Sequence, residues 1–431
     1  MAEKTNPELR NAFIYQVYPR NHSEAGTLSA IIDDLDRIKA LGVDIIYLLP
    51  IHPIGRKRRK GGLGSPYSIR DYTAIDESLG TMEDFQSLID AVHRRDMKLM
   101  MDIVFNHTAW DSALFENHPG FFYREDGEFK NRVGEWWDVV DFDFTRDERL
   151  WETLIDVLVM YAKKGVDGFR FDVAGLLPLA FLRRARRAVE AVAPDTIWLA
   201  ESIHTDFVRH FRNQGFEALS DSELLQVFDM AYDYDADPFF KAYLDGEGTL
   251  SEYVEWLLVQ ESIYPGNYIK LRHLENHDHG RIARWLDSDI DALKNWHAFS
   301  FFSRGSTLVY AGGEYFDTHH PDLFNKDPVR FEGTEHTAFF RRLKTITSDT
   351  PFYRGAYDLL AHEAHQVVGG SYRFETVRYT GVFSFAGRQG EITTDLEDGT
   401  YTNLIDDSAV TVKEGRLALD ACPLIIKSDA G

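Results

Sequence analysis

Short apolar runs alternate with longer amphipathic stretches from Phe13 to about Ser348. The short runs cover residues 13–18, 43–49, 98–105, 166–172, 196–201, 225–230, 268–274 and 307–310. They are β-branched or aromatic and largely apolar throughout, which predicts strands buried on both faces of a parallel sheet. Residues 28–41, 82–94, 150–163, 179–192 and 250–262 carry apolar positions at helical spacing, each starting near a capping residue or ending near a glycine. Eight strands, each followed by a helix, make a (β/α)₈ barrel the economical α/β architecture.

Two segments depart from the alternation. Residues 107–144 read as irregular, aromatic and glycine-containing, with Trp110, Phe121, Phe122, Trp136 and Trp137. Loops this long are functional or small insertions, so a short inserted domain is expected at 108–144, with the aromatic pairs forming its core and sugar platforms as their alternative. Beyond about Pro351 the helical period vanishes, and β-rich runs at 366–374, 377–385 and 417–426 take over. Gly387-Arg-Gln-Gly390, Glu397-Asp-Gly399 and Lys413-Glu-Gly415 mark turns among them. An antiparallel, β-sandwich-like C-terminal domain is expected over 351–431, leaving 1–107 and 145–350 for the barrel.

The 431 residues are 44% hydrophobic and 13% aromatic, enough for a packed globular chain. A formal net charge of −23 repels phosphate backbones, which argues against nucleic acid as a partner. Within this acidic chain Arg56-Lys-Arg-Arg-Lys60 is a basic run. It reads as a solvated loop on the active-site side, with an anionic group such as a phosphorylated sugar as the sharper alternative. One cysteine, Cys422, excludes an internal disulfide and fits a reducing compartment. The start, Met1-Ala-Glu-Lys-Thr-Asn-Pro7, shows no signal-type apolar region, and no run approaches the ~18 apolar residues of a membrane span. The cytoplasm is the expected compartment; a secreted chain whose leader had been removed would read the same way.

Four strand-like runs end in polar, chemistry-bearing residues: Asp102 to Asn106-His107, Arg170-Phe-Asp172, Leu-Ala-Glu201, and Glu275-Asn-His277-Asp278. In a parallel barrel such tips converge on one face. Arg170 and Asp172 share a strand face, and the guanidinium is expected to lower the Asp172 pKa and keep it ionised, as a nucleophile requires. Glu201 ends the neighbouring strand, within reach of the roughly 5–5.5 Å carboxyl separation of a retaining glycosidase. Burial and acidic neighbours suit it to be the proton donor. Asp278 adds a third carboxylate where positive charge develops, and His107 and His277 offer donors to hydroxyls. Asp102 and Asn106 read as structural. The His277-Asp278-His279 and His319-His320 groups could ligate zinc, but lack third-ligand spacing.

In this order the motifs resemble the four signature regions of the α-amylase family of glycoside hydrolases. Supporting segments are Tyr15-Gln-Val-Tyr-Pro19, Leu48-Leu-Pro50, Ser65-Pro66-Tyr67, Asp71-Tyr72 and Gly312-Gly313-Glu314. The resemblance implies Asp172 as nucleophile, Glu201 as acid/base, and Asp278 as the residue that stabilises the transition state. It places Tyr67, His107, Arg170 and His277 around the same sugar, with Tyr67 stacking on its ring. It also implies a second domain inserted after the third strand and a C-terminal β-domain. The chain departs after Asp172, where Val173-Ala174-Gly175-Leu176 replaces the Lys-His pair that many members use for outer sugars and for calcium. Calcium therefore stays an open expectation, with Asn106, Asp141 and Asp143 as candidate oxygen donors. The chemistry needs no other cofactor.

The expected activity is hydrolysis of α-1,4-glucosidic bonds in starch-type glucans or malto-oligosaccharides through a glycosyl–Asp172 intermediate. A 4-α-glucanotransferase with the same residues is the alternative. A silent barrel used for protein association is the remaining one, and the intact carboxylate trio argues against it.

Overall fold

The computed structural model describes residues 4–349, 352–387 and 390–430. Residues 1–3, 350–351, the centre of the 387–390 turn and Gly431, on which parts of the sequence expectations fall, lie outside the described residues.

Eight parallel strands close into a barrel: β1 (Phe13–Val17), β2 (Ile45–Leu48), β3 (Lys98–Ile103), β4 (Gly168–Phe171), β5 (Ile197–Ala200), β6 (Met230–Tyr232), β7 (Lys270–His273) and β8 (Ser306–Tyr310). Each pairs with its chain neighbours, and β8 closes onto β1 with Phe13 opposite Thr307. Side chains alternate, so one parity fills the interior (Ile14, Tyr47, Met100, Leu199, Leu271, Leu308) while the other meets the helices. Gly168 leaves room inside: a Cβ there would lie 3.0 Å from both the Ile197 carbonyl oxygen and Met100 Cε. Several of the helices begin with side-chain caps. Thr81 and Asp84 form a capping box at Met82–His93, and Thr249 and Glu252 another at Leu250–Ile263. No helix among the described residues is long and apolar enough to cross a membrane.

The sixth strand sits later than the expected 225–230. A capping box between Ser220 and Glu223 starts a short helix, Asp221–Leu224, and the chain turns before pairing at Met230. The apolar run is longer than the strand because Val227 and Phe228 are buried in the turn itself.

Between β3 and the helix Glu148–Lys163, His107–Ala109 pairs antiparallel with Val139–Asp141. Phe115, Phe122 and Phe142 pack as a ring cluster beside it. Phe121 and Phe122 are buried, as their core assignment requires. The tryptophans depart from it: Trp137 is 55% exposed, and Trp136 lines a cavity at the barrel mouth.

The C-terminal part holds two four-stranded sheets. One runs Ala356–His362, Val367–Arg373, Val377–Ser384, Leu424–Asp429 in spatial order, and the other Gly390–Thr393, Arg416–Leu419, Ala409–Lys413, Gly399–Thr402. Val367, Val382, Ile392, Leu417 and Ile426 are among the apolar residues packed between them. The expected β-run 417–426 is in fact two strands of different sheets, divided by the break between Leu419 and Leu424.

The first sheet docks on the helix Ile290–Phe302. Trp296 stacks on Phe385 at 3.7 Å, and Phe302 meets Tyr372 and Phe383. Buried Asn295 crosses the joint: its Nδ2 donates to the Ala421 carbonyl (2.7 Å), and its Oδ1 accepts the Ser384 N–H (2.7 Å). Asn295→Ala strands both backbone groups and is expected to cost about 2 kcal/mol or more in urea unfolding. A loss under about 0.5 kcal/mol would show that the joint does not need the amide.

Candidate active site

The strand tips meet where the interior parity of the barrel turns polar. Arg170, on β4, is fully buried and is shared by three carboxylates. Its Nη1 donates to Asp102 on β3 (2.8 and 3.0 Å) and to Asp172 just past β4 (3.1 Å). Its Nη2 lies 2.9 Å from Oε1 of Glu201, just past β5. Glu201 Oε2 accepts the Val173 N–H at 2.7 Å. One guanidinium thus joins the two carboxylates singled out in the sequence.

Asp102 does more than its structural assignment suggested. Besides Arg170 it accepts from the Tyr47 hydroxyl (2.7 Å) and the Tyr67 hydroxyl (3.0 Å). The Tyr67 hydroxyl also meets His277 Nε2 at 2.5 Å, and the two rings stack with centroids 5.5 Å apart. Gln16 Nε2 lies 3.0 Å from His277 Nδ1, and His277 Nε2 lies 3.1 Å from Asp278 Oδ2. Gln16 and Tyr47 were not foreseen here, although both share the interior parity of their strands. Tyr72 ties down the next loop, its hydroxyl donating to the carbonyls of Val104 and His107, both at 2.8 Å.

A cavity of about 310 Å³ opens over these groups. Asp172, Glu201, Asp278, Tyr67 and His107 line it, so the structure brings the expected residues together. Arg170 and His277 support them from beneath and beside through the contacts above. Trp136, the alternative sugar platform, and Lys60, from the basic run on the active-site side, complete the walls with Asp138 and Phe324, which were not foreseen as site residues. They come from loops, where neither parity nor period marks a side chain's direction. Lys60 pairs with Asp138 (3.0 Å) and lies over the Trp137 ring.

The electrostatics differ from the sequence expectation. Arg170 was expected to hold Asp172 below the usual carboxylate range. Instead burial, and then the Glu201 charge, push Asp172 well above it, because one cation is divided among three anions. Burial also raises Glu201, to about 7, with Asp278 and Asp102 adding to the rise against Arg170. The Asp172–Glu201 pair therefore retains a proton near neutrality. Burial lowers His107 to about 3 and lowers His277 as well, so both imidazoles are neutral there.

Val173, next to Asp172, is a β-branched residue at φ 38°, ψ 47°. That left-handed conformation is strained for valine. It is held where the Val173 N–H reaches Glu201, and a Cβ at Gly175 would lie 2.8 Å from the Ile203 side chain. The unusual Val173-Ala174-Gly175-Leu176 sequence thus forms a tight turn against the next loop.

Of the oxygen donors considered for calcium, Asp141 Oδ2 and those of Asp143 are otherwise engaged, and Asn106 turns its amide nitrogen to the neighbouring imidazole. Asn106 Nδ2 lies 3.1 Å from His107 Nδ1. Asp141 Oδ2 accepts from the Arg132 N–H (2.8 Å) and guanidinium (3.3 Å), and Asp143 is taken by Thr145 and Arg146. Asp141 Oδ1 is left as one buried orphan. That set does not fit the six to eight oxygens of a calcium site. Of the imidazole groups, His319 bonds Asp327 and His320 the Asn276 carbonyl. His279 gathers with His204 and Asp237, but the Lys241 ammonium already lies 3.1 Å from Asp237.

Comparison with known proteins agrees with this architecture. The family described as the α-amylase catalytic domain matches residues 16–132 and 134–350, and the bacterial α-amylase C-terminal domain matches 358–426. The chain is 42% identical to a crystallised α-amylase of Lactobacillus plantarum, covering 98% of this chain and 100% of that one at a TM-score of 0.94. A noncanonic maltogenic α-amylase of Thermotoga neapolitana is 32% identical, with coverage of 98% and 100% and a TM-score of 0.87. Among curated sequences, an α-1,4-glucan:maltose-1-phosphate maltosyltransferase of Pseudomonas aeruginosa is 34% identical over 46% of this chain, and an α-glucosidase of Schizosaccharomyces pombe 27% identical over 73%. The chain spans 34% and 66% of those two proteins' lengths. With its closed parallel barrel, its carboxylates gathered on one arginine and matches along nearly its whole length, the chain belongs to the α-amylase family, as an enzyme of the glycosidase and glycosyl-transferring kind.

Proposed function

We propose that the chain is a retaining α-glycosidase that hydrolyses α-1,4-glucosidic bonds of starch-type glucans or maltodextrins. The observation that carries this is the single guanidinium bridging Asp172 and Glu201. Carboxyl groups held on one arginine are within reach of the roughly 5 Å separation of a double displacement, which supports retention over a one-step inversion. The pair keeps one proton near neutrality; Arg170 Nη1 donates in line to Asp172 while Nη2 makes no aligned hydrogen bond to Glu201, which supports placing that shared proton on Glu201. Asp172 is then the nucleophile and Glu201 the proton donor.

Asp172 attacks the anomeric carbon while Glu201 passes its proton to the leaving oxygen, and the released sugar carries that proton away. A glycosyl ester on Asp172 results. Water enters, Glu201 takes one of its protons, and the oxygen displaces Asp172, restoring both carboxyl groups with two inversions and net retention. Asp278, partly exposed beside His277, is placed to grip sugar hydroxyls as positive charge develops. Neutral His107 and His277 supply donors, and Tyr67 offers its ring to the sugar. Transfer to a sugar acceptor, a 4-α-glucanotransferase reaction, is the second reading. The curated relatives named as maltosyltransferases favour it.

Glu201→Gln is expected to lower kcat on maltotriose about 10²- to 10⁴-fold. Undiminished turnover would sink the assignment. Products of wild-type digestion of maltotriose decide between the readings: glucose and maltose alone mean hydrolysis, chains longer than the substrate mean transfer.

Glu201 at about 7 sits above its unfolded value of 4.5, so the stability it contributes is complete below about pH 4.5 and is lost as pH rises through 7. Wild-type Tm should accordingly fall relative to Glu201→Gln between roughly pH 5 and 8, and kcat/KM should decline on the alkaline side near 7. A Tm difference that does not change with pH would contradict this.

A further inference from the structure

The basic run at 56–60 is only partly accounted for by Lys60. Outside the catalytic cavity, the loops after β1, β2 and β8 enclose a second cavity of about 680 Å³, roughly twice the first. Five cations line it: Arg20, Arg56, Arg59, Arg70 and Lys326. Its acidic wall is smaller, Asp76 and Glu77, and Asp76 is occupied with the Ser78 N–H (2.9 Å) and hydroxyl (2.6 Å).

None of these five cations lies within 4.0 Å of a carboxylate oxygen among the described residues. In a chain with 70 acidic and 47 basic residues, unpaired cations are easily avoided, and gathering them costs mutual repulsion. Three are held in place by backbone carbonyls rather than by anions. Arg20 Nη1 donates to Gly64 (3.1 Å), Arg59 Nε to Gly55 (3.1 Å), and Lys326 Nζ to Ser23 (2.7 Å). The Arg56 and Arg70 guanidiniums have no hydrogen-bond partner among the described residues. The donors are thus positioned while most of their N–H groups remain free.

We propose that this cavity binds a phosphate-bearing small molecule. Guanidinium forks match phosphate oxygens, and several converging cations suit a multiply charged phosphate better than a monocarboxylate. Pro53, Ile54, Leu63 and Ile75 provide an apolar wall for an organic body attached to the phosphate. The site is separate from the catalytic cavity, with the loop between them turning Leu63 to one side and Ser65 and Tyr67 to the other.

Calorimetric titration of the full chain with glucose 6-phosphate and with pyrophosphate, at constant ionic strength, tests this. Saturable binding of both is expected, with Kd below about 1 mM and no comparable binding of glucose. The double variant Arg56→Ser/Arg70→Ser, whose residues lie outside the catalytic machinery, should weaken both about tenfold or more while leaving maltotriose turnover within about twofold. Binding should persist in Glu201→Gln and in saturating maltose. Absence of saturable heat up to about 10 mM, unchanged affinity in the double variant, or displacement by maltose would each overturn the proposal; the last would place the phosphate in the catalytic cavity.

Discussion

A fully buried arginine at the centre of a barrel requires anions around it, and the rest of the site follows from how Arg170 is satisfied. Arginine stays charged when buried, so its lost hydration must be offset by carboxylates at hydrogen-bonding range. Asp102 meets Nη1 from β3, Asp172 from the end of β4, and Glu201 approaches Nη2 from the end of β5. The three adjacent strands are therefore tied by charge as well as by their backbone ladders. One cation cannot neutralise three anions in a dry environment, and the surplus negative charge keeps a proton on the Asp172–Glu201 pair. The same imbalance that makes the cluster costly also supplies an acid at neutral pH.

Around that centre lies a ring of polar contacts that orients the remaining groups. Asp102 accepts from Tyr47 and Tyr67, Tyr67 meets His277, and His277 is reached by Gln16 on the opposite side. The ring draws on β1, β2, β3 and the loop after β7, so displacement of one member is resisted by several strands. Val173 shows the cost of this arrangement. A left-handed valine is held beside Asp172 because its N–H is needed by Glu201.

The barrel core and the carboxylate trio were legible because strands and helices impose short, regular periods. Arg170 and Asp172 are two residues apart, and strand alternation alone puts such a pair on one face. The sixth strand was misplaced because apolar residues buried in a turn look like strand residues; Val227 and Phe228 are the example. The C-terminal run 417–426 was read as one strand because its break depends on which sheet each half joins. Trp136 and Trp137 looked like core because large aromatics usually are, yet one lines the cavity and the other carries Lys60 over its ring.

The order of the elements, the parity of the strand-end residues and the excess of acid over base were already written in the amino-acid chain. These are local or additive properties. Closure of the barrel, by contrast, is what shares Arg170 three ways, and it reversed the expected direction of the Asp172 pKa. Tertiary packing also sets Arg132 against Asp141, and brings Arg56 into one cavity with Arg20, Arg70 and Lys326. Charge balance at a buried site depends on distances between residues far apart in the chain, and those distances exist only once the barrel has closed.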